Sequence, residues 1–305
     1  MTFSMGINLA GGEFGSNVPG TYGKDYIYPS HSDIDYYASK GMEAFRLPFL
    51  WERVQHSKFG ALDGAEVGRI QHVVDYANSK GVKVILDMHN YGSGFGHAIG
   101  SSETPNKAFA DVWGKLANQF SDDNVMFGLM NEPHNQNATQ WIASANTAID
   151  AIRHAGAHQR ILVPGAYWDN ASSWVSSDND RVVGGGVRDP GNNYAFEVHQ
   201  YLDAGGGGTG KDVVSENIGV ERIQAITKWA EDTGHDLFLG EVGVGRDQKS
   251  LTALDKMLDY MEQHQDAWDG ATYWAGGPWW GDYMYSADPQ AGVDKPQMAV
   301  LGQHG

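Results

Sequence analysis

Apolar residues in this chain recur in short runs that are separated by longer stretches of helical periodicity. Eight of the runs are typical of buried strands, because they lack the polar alternation of a strand with one face in water. They span residues 6–14, 44–49, 82–90, 125–132, 160–168, 194–202, 237–244 and 271–277. Between most of them the apolar positions follow the period of an α-helix. This predicts helices over 65–81, 105–120, 137–156, 216–234 and 250–265.

The alternation of strand and helix predicts the fold class. Eight strand–helix repeats within 305 residues match the size and order of a (β/α)8 TIM barrel, an α/β fold. An open, doubly wound parallel sheet is the alternative. No linker and no shift in composition divides the chain, so we expect a single domain over residues 1–305.

Composition and charge argue against several classes of partner. The formal net charge is −17, and such a surface repels phosphate backbones, so we expect no nucleic-acid partner. No apolar stretch approaches the roughly 20 residues of a membrane-spanning helix, so we expect no membrane partner. The chain contains no cysteine, which excludes disulfides and thiolate metal ligands.

Polar and aromatic side chains collect at the carboxyl-terminal ends of the predicted strands, where barrel enzymes carry their chemistry. The bodies of the strands consist mainly of Val, Ile, Leu, Phe and Met. A stable core does not require polar groups at one end only, so the pattern predicts a functional site. Its members are Arg46, Asp87, His89, Asn131, Glu132, Trp168, His199, Tyr201, Glu241 and Trp274.

Two glutamates in this set point to a particular chemistry. Glu132 and Glu241 close the fourth and seventh predicted strands, which face each other across the mouth of an eight-stranded ring. Two opposed carboxyl groups can protonate the leaving oxygen of a glycosidic bond and attack its anomeric carbon or activate water. A buried structural ion pair with Arg46 is the alternative explanation.

The residues beside the glutamates support the catalytic interpretation. His199 and Tyr201 are two positions apart on one strand, so both point the same way and could hold a carboxylate ionised. Asn131 and Glu132 are adjacent, and they can line one site only if the strand end bends there. We expect the neighbouring negative charge to raise the pKa of Glu132, which would then serve as the acid.

These residues lie in motifs that resemble glycoside hydrolase family 5, and most closely its endo-β-1,4-glucanase (cellulase) branch. The matching stretches are FRLPF (45–49), DMHNYG (87–92), MNEP (130–133), VHQYLD (198–203), LGEVG (239–243) and YWAGGPWWGDY (273–283). They occur in the family's order and cover nearly the whole chain. The resemblance implies a (β/α)8 barrel and retaining hydrolysis by double displacement.

The resemblance also implies a role for each matching residue. Glu132 matches the acid/base, Glu241 the nucleophile, and Asn131 the residue that bonds the sugar 2-hydroxyl. The supporting shell is Arg46, His89, His199 and Tyr201, and Trp274 matches the aromatic floor of the −1 subsite. Further candidates for substrate contact are Trp279, Trp280, Trp168 and Asn90.

The remaining tryptophans divide by position. Those in or beside the predicted helices are expected to pack inside the protein, and they are Trp113, Trp141, Trp229 and Trp268. Trp279 and Trp280 lie in a loop, where an indole offers the apolar face of a sugar ring a rigid surface. Trp168 and Trp174 fit either role.

Other chemistries find little support. The chain has no H-E-x-x-H motif and no carboxylate–histidine cluster at helical spacing, so we expect neither a metal nor another cofactor. A G-x-G-x-x-G match at Gly205, Gly207 and Gly210 lies in a late loop that opens no helix. A flexible loop is therefore favoured over a dinucleotide site.

The expected substrate is a β-glucan polysaccharide such as cellulose. A mannanase, xyloglucanase or mixed-linkage β-glucanase on the same scaffold stays open, as does a lectin-like protein that binds glucan without cutting it. We expect a monomer, and we expect export because the family's enzymes are usually secreted, although the first residues do not resemble a signal peptide.

Overall fold

The computed structural model describes residues 3–305, which form a closed barrel of eight parallel strands. The strands are β1 (Ser4–Leu9), β2 (Ala44–Phe49), β3 (Lys83–Met88), β4 (Val125–Gly128), β5 (Ile161–Pro164), β6 (Tyr194–His199), β7 (Leu237–Val242) and β8 (Trp268–Gly276). Strand β1 pairs with both β2 and β8 and so closes the ring. The predicted (β/α)8 barrel is confirmed, and the open doubly wound sheet is wrong.

Helices surround the barrel. They are α1 (His31–Ser39), α2 (Gly64–Ser79), α3 (Asn106–Gln119), α4 (Ala138–His154), α5 (Ile218–Thr233), α6 (Gln248–Gln263) and α7 (Pro296–Leu301), with one further turn at Trp51–Val54. The five predicted helices agree with α2 to α6 within two residues at each end. Helix α1 was not predicted, because it buries only Ile34 and Tyr37 and shows little apolar periodicity.

The connection from β5 to β6 contains no α-helix. It consists of short 3-10 turns at Tyr167–Asp169 and Ala171–Ser173 and a π turn at Asn179–Val183. The predicted strand over 160–168 is therefore too long, since β5 ends at Pro164. The residues that follow it continue the apolar run but enter this connection above the barrel mouth.

The core fills the barrel and the layer between strands and helices. Every residue of β1, β2 and β7 is buried, as expected for strands that are covered on both faces. Of the tryptophans assigned to packing, all but the partly buried Trp229 are fully enclosed. Trp174 is also completely buried, against Phe196 and Trp229, and this settles its role as packing.

Two further expectations can be compared with the structure. Within residues 3–305, no helix is long and apolar enough to cross a membrane. In the glycine-rich loop, the backbone N–H groups of Gly208, Thr209 and Gly210 donate to the carboxylate of Asp203 at 3.0–3.2 Å. These amides bind an anion of the chain itself, which favours the loop interpretation over a phosphate cradle.

Gly6 marks a close contact between β1 and β2. A Cβ atom at this position would lie 2.1 Å from the carbonyl oxygen of Ala44. We expect Gly6→Ala to lower the free energy of unfolding by about 1–3 kcal/mol, because backbone atoms of a closed barrel give way only at a cost. Urea denaturation followed by circular dichroism measures this change.

Gly68 in α2 supplies the matched control, since a Cβ there meets no atom within 4 Å. Gly68→Ala should raise the free energy of unfolding by about 0.5–1 kcal/mol through helix propensity. If Gly6→Ala were as stable as the wild type, the described pairing of β1 with β2 would be wrong.

Candidate active site

A buried arginine joins the side chains at the carboxyl-terminal mouth of the barrel. Arg46 at the centre of β2 is completely buried, and its Nε donates to Glu197 Oε1 at 2.8 Å. Its Nη2 donates to Asn131 Oδ1 at 2.9 Å. Its Nη1 lies 2.9–3.1 Å from oxygens of Asn8, Asp87 and Glu241. Burial opposes the charge of the guanidinium, but the surrounding carboxylates outweigh it and raise the pKa of Arg46.

One imidazole brings the two glutamates together. Nδ1 of His199 lies 2.8 Å from Glu132 Oε1 and 3.6 Å from Glu241 Oε2. The oxygens Glu132 Oε1 and Glu241 Oε2 are therefore less than about 6.5 Å apart, which is the lower end of the separation found in inverting glycosidases. Tyr201 donates its hydroxyl to Glu241 Oε2 at 2.6 Å. The two carboxylates that the sequence predicts to face each other across the barrel mouth therefore lie close together there.

A left-handed residue lets Asn131 and Glu132 serve the same site. Strand β4 ends at Gly128, and Glu132 has a φ of 43°, which is uncommon for residues other than glycine. The backbone therefore bends just before Pro133. Asn131 reaches Arg46, whereas Glu132 reaches His199. Backbone strain of this kind is typical of functional sites.

The structure corrects the expected protonation of Glu132. Burial raises the pKa of Glu132, but the hydrogen bond and charge of His199 outweigh burial, so this pKa lies below its ordinary value. Burial and the charge of Glu132 raise the pKa of Glu241, against His199 and Arg46. The pKa of His199 is well above its ordinary value: burial lowers it, but Asp169, Glu241 and the bond to Glu132 prevail. These directions favour a carboxylate on Glu132 and an imidazolium on His199.

The third strand supplies a second carboxylate–imidazole pair. Nδ1 of His89 lies 2.7 Å from Asp87 Oδ2, and Asp87 also pairs with Arg46. Burial lowers the pKa of His89, but Asp87 outweighs it and raises this pKa overall. The imidazole of His89 stacks on Trp274, with ring centroids 5.5 Å apart. Trp274 is thereby held beside the carboxylates.

Comparison with known proteins assigns the chain that carries this site to a family. Residues 5–277 match the family model described as cellulase (glycosyl hydrolase family 5). The chain belongs to glycoside hydrolase family 5.

Relatives of this family 5 glycoside hydrolase carry consistent names. The chain is 40% identical over 294 residues to a probable endo-beta-1,4-glucanase B of Neosartorya fischeri. This alignment covers 95% of the chain and 87% of the relative. The structure of XacCel5A in complex with cellopentaose superposes with a TM-score of 0.97 at 44% identity, covering 100% of this chain and 99% of the other. The structure of the endoglucanase Cel5A of Pseudomonas stutzeri in complex with cellobiose superposes with a TM-score of 0.91 at 36% sequence identity. It covers 99% of this chain and 92% of the other.

The aromatic candidates of the family 5 enzyme lie at different distances from its chemistry. Trp280 packs its edge against Trp274 and stacks on Tyr283. Trp279 is about half exposed and faces a cavity of about 660 Å³, which neither catalytic candidate lines. Both tryptophans line this cavity, and Trp280 also contacts Trp274.

Trp168 and Asn90 belong to the rim. Trp168 is half exposed and stacks face to face on His134 at 3.5 Å, with its edge toward Tyr91. Asn90 accepts from the backbone N–H of Trp51 and donates to Glu52, both at 2.8 Å. Asn90 thus holds the loop that follows β2, and its bonds involve neither Glu132 nor Glu241.

Sequence analysis missed three polar residues of the site. Glu197 precedes His199 by two positions on β6, so the period of a strand could have placed it on the same face. Asn8 at the end of β1 also lay within a predicted strand. Asp169 is completely buried beside His199, but it follows β5 in an irregular connection, where no periodicity indicated its direction.

The site offers one set of atoms at metal-ligand spacing. Ligand atoms of Glu132, Asp169 and His199 lie within 4.8 Å of one another. A metal bound here would be coordinated by Oε1 of Glu132 and Nδ1 of His199, which already form a hydrogen bond with each other. This donor set fits the acid function better than a metal centre.

Arg46→Gln tests the arginine as the organising charge of the mouth. Its removal leaves buried carboxylates without a counter-charge, so the free energy of unfolding should fall by about 3–5 kcal/mol at pH 7. Burial raises the pKa of Asp87, but Arg46 and His89 hold it below its ordinary value. Such a group stabilises the fold above the unfolded pKa near about 4, and its contribution is lost as the pH falls through the folded pKa.

The deficit of Arg46→Gln should therefore shrink below about pH 4, as denaturation over a pH series would show. Arg69→Gln is the control, because Arg69 pairs with Glu66 at a partly exposed position. It should cost about 1 kcal/mol or less. An equal, pH-independent loss in both variants would contradict the role given to Arg46.

Proposed function

We propose that this chain is a retaining endo-β-1,4-glucanase that hydrolyses internal bonds of cellulose and soluble β-glucans. The observation that carries this proposal is the convergence of Glu132 and Glu241 on one nitrogen of His199 at the barrel mouth. The named relatives are endo-β-1,4-glucanases, and two similar structures hold cellopentaose and cellobiose.

Glu241 is the nucleophile in the first step. Its Oε2 accepts from Tyr201 and its Oε1 from Arg46, so both oxygens have donors that favour the ionised form against the burial that raises its pKa. As Glu241 attacks the anomeric carbon, the proton of the Glu132–His199 pair passes to the leaving oxygen. The products of this step are a glycosyl ester on Glu241 and a released sugar chain.

Glu132 becomes the base in the second step. The ester on Glu241 carries no negative charge, so the pKa of Glu132 falls further and its carboxylate can take a proton from water. The water oxygen then attacks the anomeric carbon and releases Glu241. No cofactor takes part in either step. Between the two steps Glu132 is a carboxylate and His199 a neutral imidazole, and the proton taken from water restores the protonated pair.

Aromatic surfaces and polar groups around the glutamates suit a glucan. Trp274 offers a pyranose ring a flat apolar face. Asn131 beside Glu132 matches the residue that bonds the sugar 2-hydroxyl in this family. A polymer of this kind does not enter cells, which supports secretion. All the residues of the proposed mechanism come from one chain, which supports a monomer.

Azide rescue distinguishes the roles of the two glutamates. We expect Glu241→Gly to lose turnover of an activated aryl cellobioside. Added azide should restore turnover, and the product should be an α-glycosyl azide. Azide then replaces the nucleophile in a single displacement. Product analysis by NMR gives the anomeric configuration.

Glu132→Gly is the matched control in the same assay. Its glycosyl ester still forms with a good leaving group, so azide should attack that ester and give the β-glycosyl azide. The same anomer from both variants, or ordinary turnover by either, would overturn the assignment.

Substrate screening tests the preference for β-1,4-glucan. We expect carboxymethylcellulose to lose viscosity much faster than reducing ends appear, because internal bonds are cut. Parallel assays on mannan, xyloglucan and mixed-linkage glucan provide the comparison. Faster cleavage of mannan would identify the protein as a mannanase and contradict the glucanase assignment. Binding to these polymers without cleavage would identify it as a lectin-like protein.

A further inference from the structure

The glycine-rich loop after β6, residues 203–214, is closed at its base and anchored from within. The backbone N–H of Val214 donates to the carbonyl of Leu202 at 3.1 Å, so the two ends of the loop are paired. The buried carboxylate of Asp203, which accepts from three amides of the loop, also accepts from Thr209 Oγ1 at 3.3 Å. Four hydrogen bonds to one carboxylate favour a single conformation of this loop.

The loop lies against the ring of Tyr201. A Cβ atom at Gly208 would lie 2.8 Å from Cδ1 and Cε1 of Tyr201, so the close contact requires a glycine. Gly208 also has a φ of 72°, a conformation that glycine adopts at little cost. Tyr285 stacks on the same ring, with centroids 5.9 Å apart, and its hydroxyl donates to the carbonyl of Gly210. Tyr201 is therefore held by the loop directly and by a second tyrosine that the loop binds.

Tyr201 transmits this contact to the reacting groups. Its hydroxyl donates to Glu241 Oε2 at 2.6 Å, and its backbone carbonyl accepts from Arg222 Nη1 at 2.6 Å. Burial and the charge of Glu241 raise the pKa of Tyr201 well above its ordinary value, so the hydroxyl keeps its proton. The strength of such a bond depends on the direction of the donor. With the backbone held by Arg222, the contacts on the ring decide whether the hydroxyl stays directed at Glu241.

We propose that Asp203 and Gly208 are positioning residues, which act through the glycine-rich loop to keep the hydroxyl of Tyr201 directed at the nucleophile Glu241. The proposal rests on the proposed function of Glu241. A hydrogen bond to a carboxylate favours its ionised form, so a well-placed Tyr201 keeps Glu241 ready to attack, against the burial that raises its pKa. The other titratable groups that act on Glu241 belong to other parts of the mouth, and they are Arg46, His89, Tyr91, Glu132, Asp169, His199 and Tyr283.

Gly208→Ala places a methyl group against the ring of Tyr201. Either the ring or the loop has to move, and both displacements release the hydroxyl from its fixed direction. Glu241 then holds its proton to higher pH. We therefore expect the acidic limb of the kcat/KM profile on an activated aryl cellobioside to move to higher pH by about half a unit to one unit. Asp203→Asn removes the charge that binds the loop amides, and it should move the limb in the same direction.

Matched controls separate the contact with Tyr201 from strain and from charge. Gly206 is left-handed as well, with a φ of 69°, but a Cβ there meets its nearest atom, Arg222 Nη1, only at 3.5 Å. Gly206→Ala therefore imposes a similar backbone strain without pressing on Tyr201, and it should leave the acidic limb unchanged. Asp212→Asn removes a charge at an exposed position of the same loop and should also leave the limb unchanged.

A second measurement does not depend on activity. Carbon NMR of labelled glutamate carboxyl groups, with the Glu241 signal assigned by its loss in Glu241→Gln, gives the pKa of Glu241 in the free protein. This pKa should rise in Gly208→Ala and Asp203→Asn by an amount similar to the shift of the limb. Because no turnover is needed, failure of this proposal can be distinguished from failure of the glucanase assignment.

A Tyr201→Phe background tests the route of the effect. Without the hydroxyl the loop has no donor to direct, so adding Gly208→Ala should change kcat/KM by less than about two-fold. If Asp203→Asn does not fold, Gly208→Ala decides the question alone. An unmoved acidic limb or an unchanged pKa of Glu241 in Gly208→Ala would overturn the proposal. An equal shift in Gly206→Ala, or an undiminished effect in the Tyr201→Phe background, would do the same.

Discussion

The site depends on a single buried positive charge. Arg46 stands at the centre of the barrel mouth without contact to water, and its guanidinium is bonded by groups from five strands or strand ends. A guanidinium has five donors in a planar arrangement, which a lysine could not reproduce. Since its partners include Glu241 and Asn131, the same interaction joins the strands and orients the reacting groups.

This dual role reconciles the two explanations weighed from the sequence. A structural ion pair with Arg46 and a catalytic carboxylate appeared to be alternatives for Glu241. In the structure Glu241 bonds Arg46 through Oε1 and Tyr201 through Oε2, at a position that is only slightly exposed. Glu132 is different, because its partner is His199 rather than the arginine. The pair of glutamates is therefore asymmetric, and this asymmetry suits one nucleophile and one acid/base.

Sequence reasoning predicted the barrel and the main polar residues because both follow from periodicity. Buried parallel strands form continuous apolar runs, and their carboxyl-terminal ends meet at one mouth, so Arg46, Glu132 and Glu241 could be placed together. Helix α1 escaped because it buries few apolar side chains. The pKa of Glu132 was misjudged because its direction depends on the distance to His199, which no pattern encodes. Sequence analysis did not place Asp169 in the site for a related reason. Its side chain turns inward because three successive residues of an irregular connection are left-handed.

The connection between β5 and β6 also links the aromatic rim of the barrel to a buried acid below it. Trp168 presents an aromatic surface at the rim, and the next residue, Asp169, faces the imidazole below it. Any insertion, deletion or change of loop conformation that adapts the surface to a different sugar polymer would displace the adjoining acid too. Evolution or engineering of substrate range through this loop would therefore also disturb the buried contact between Asp169 and His199.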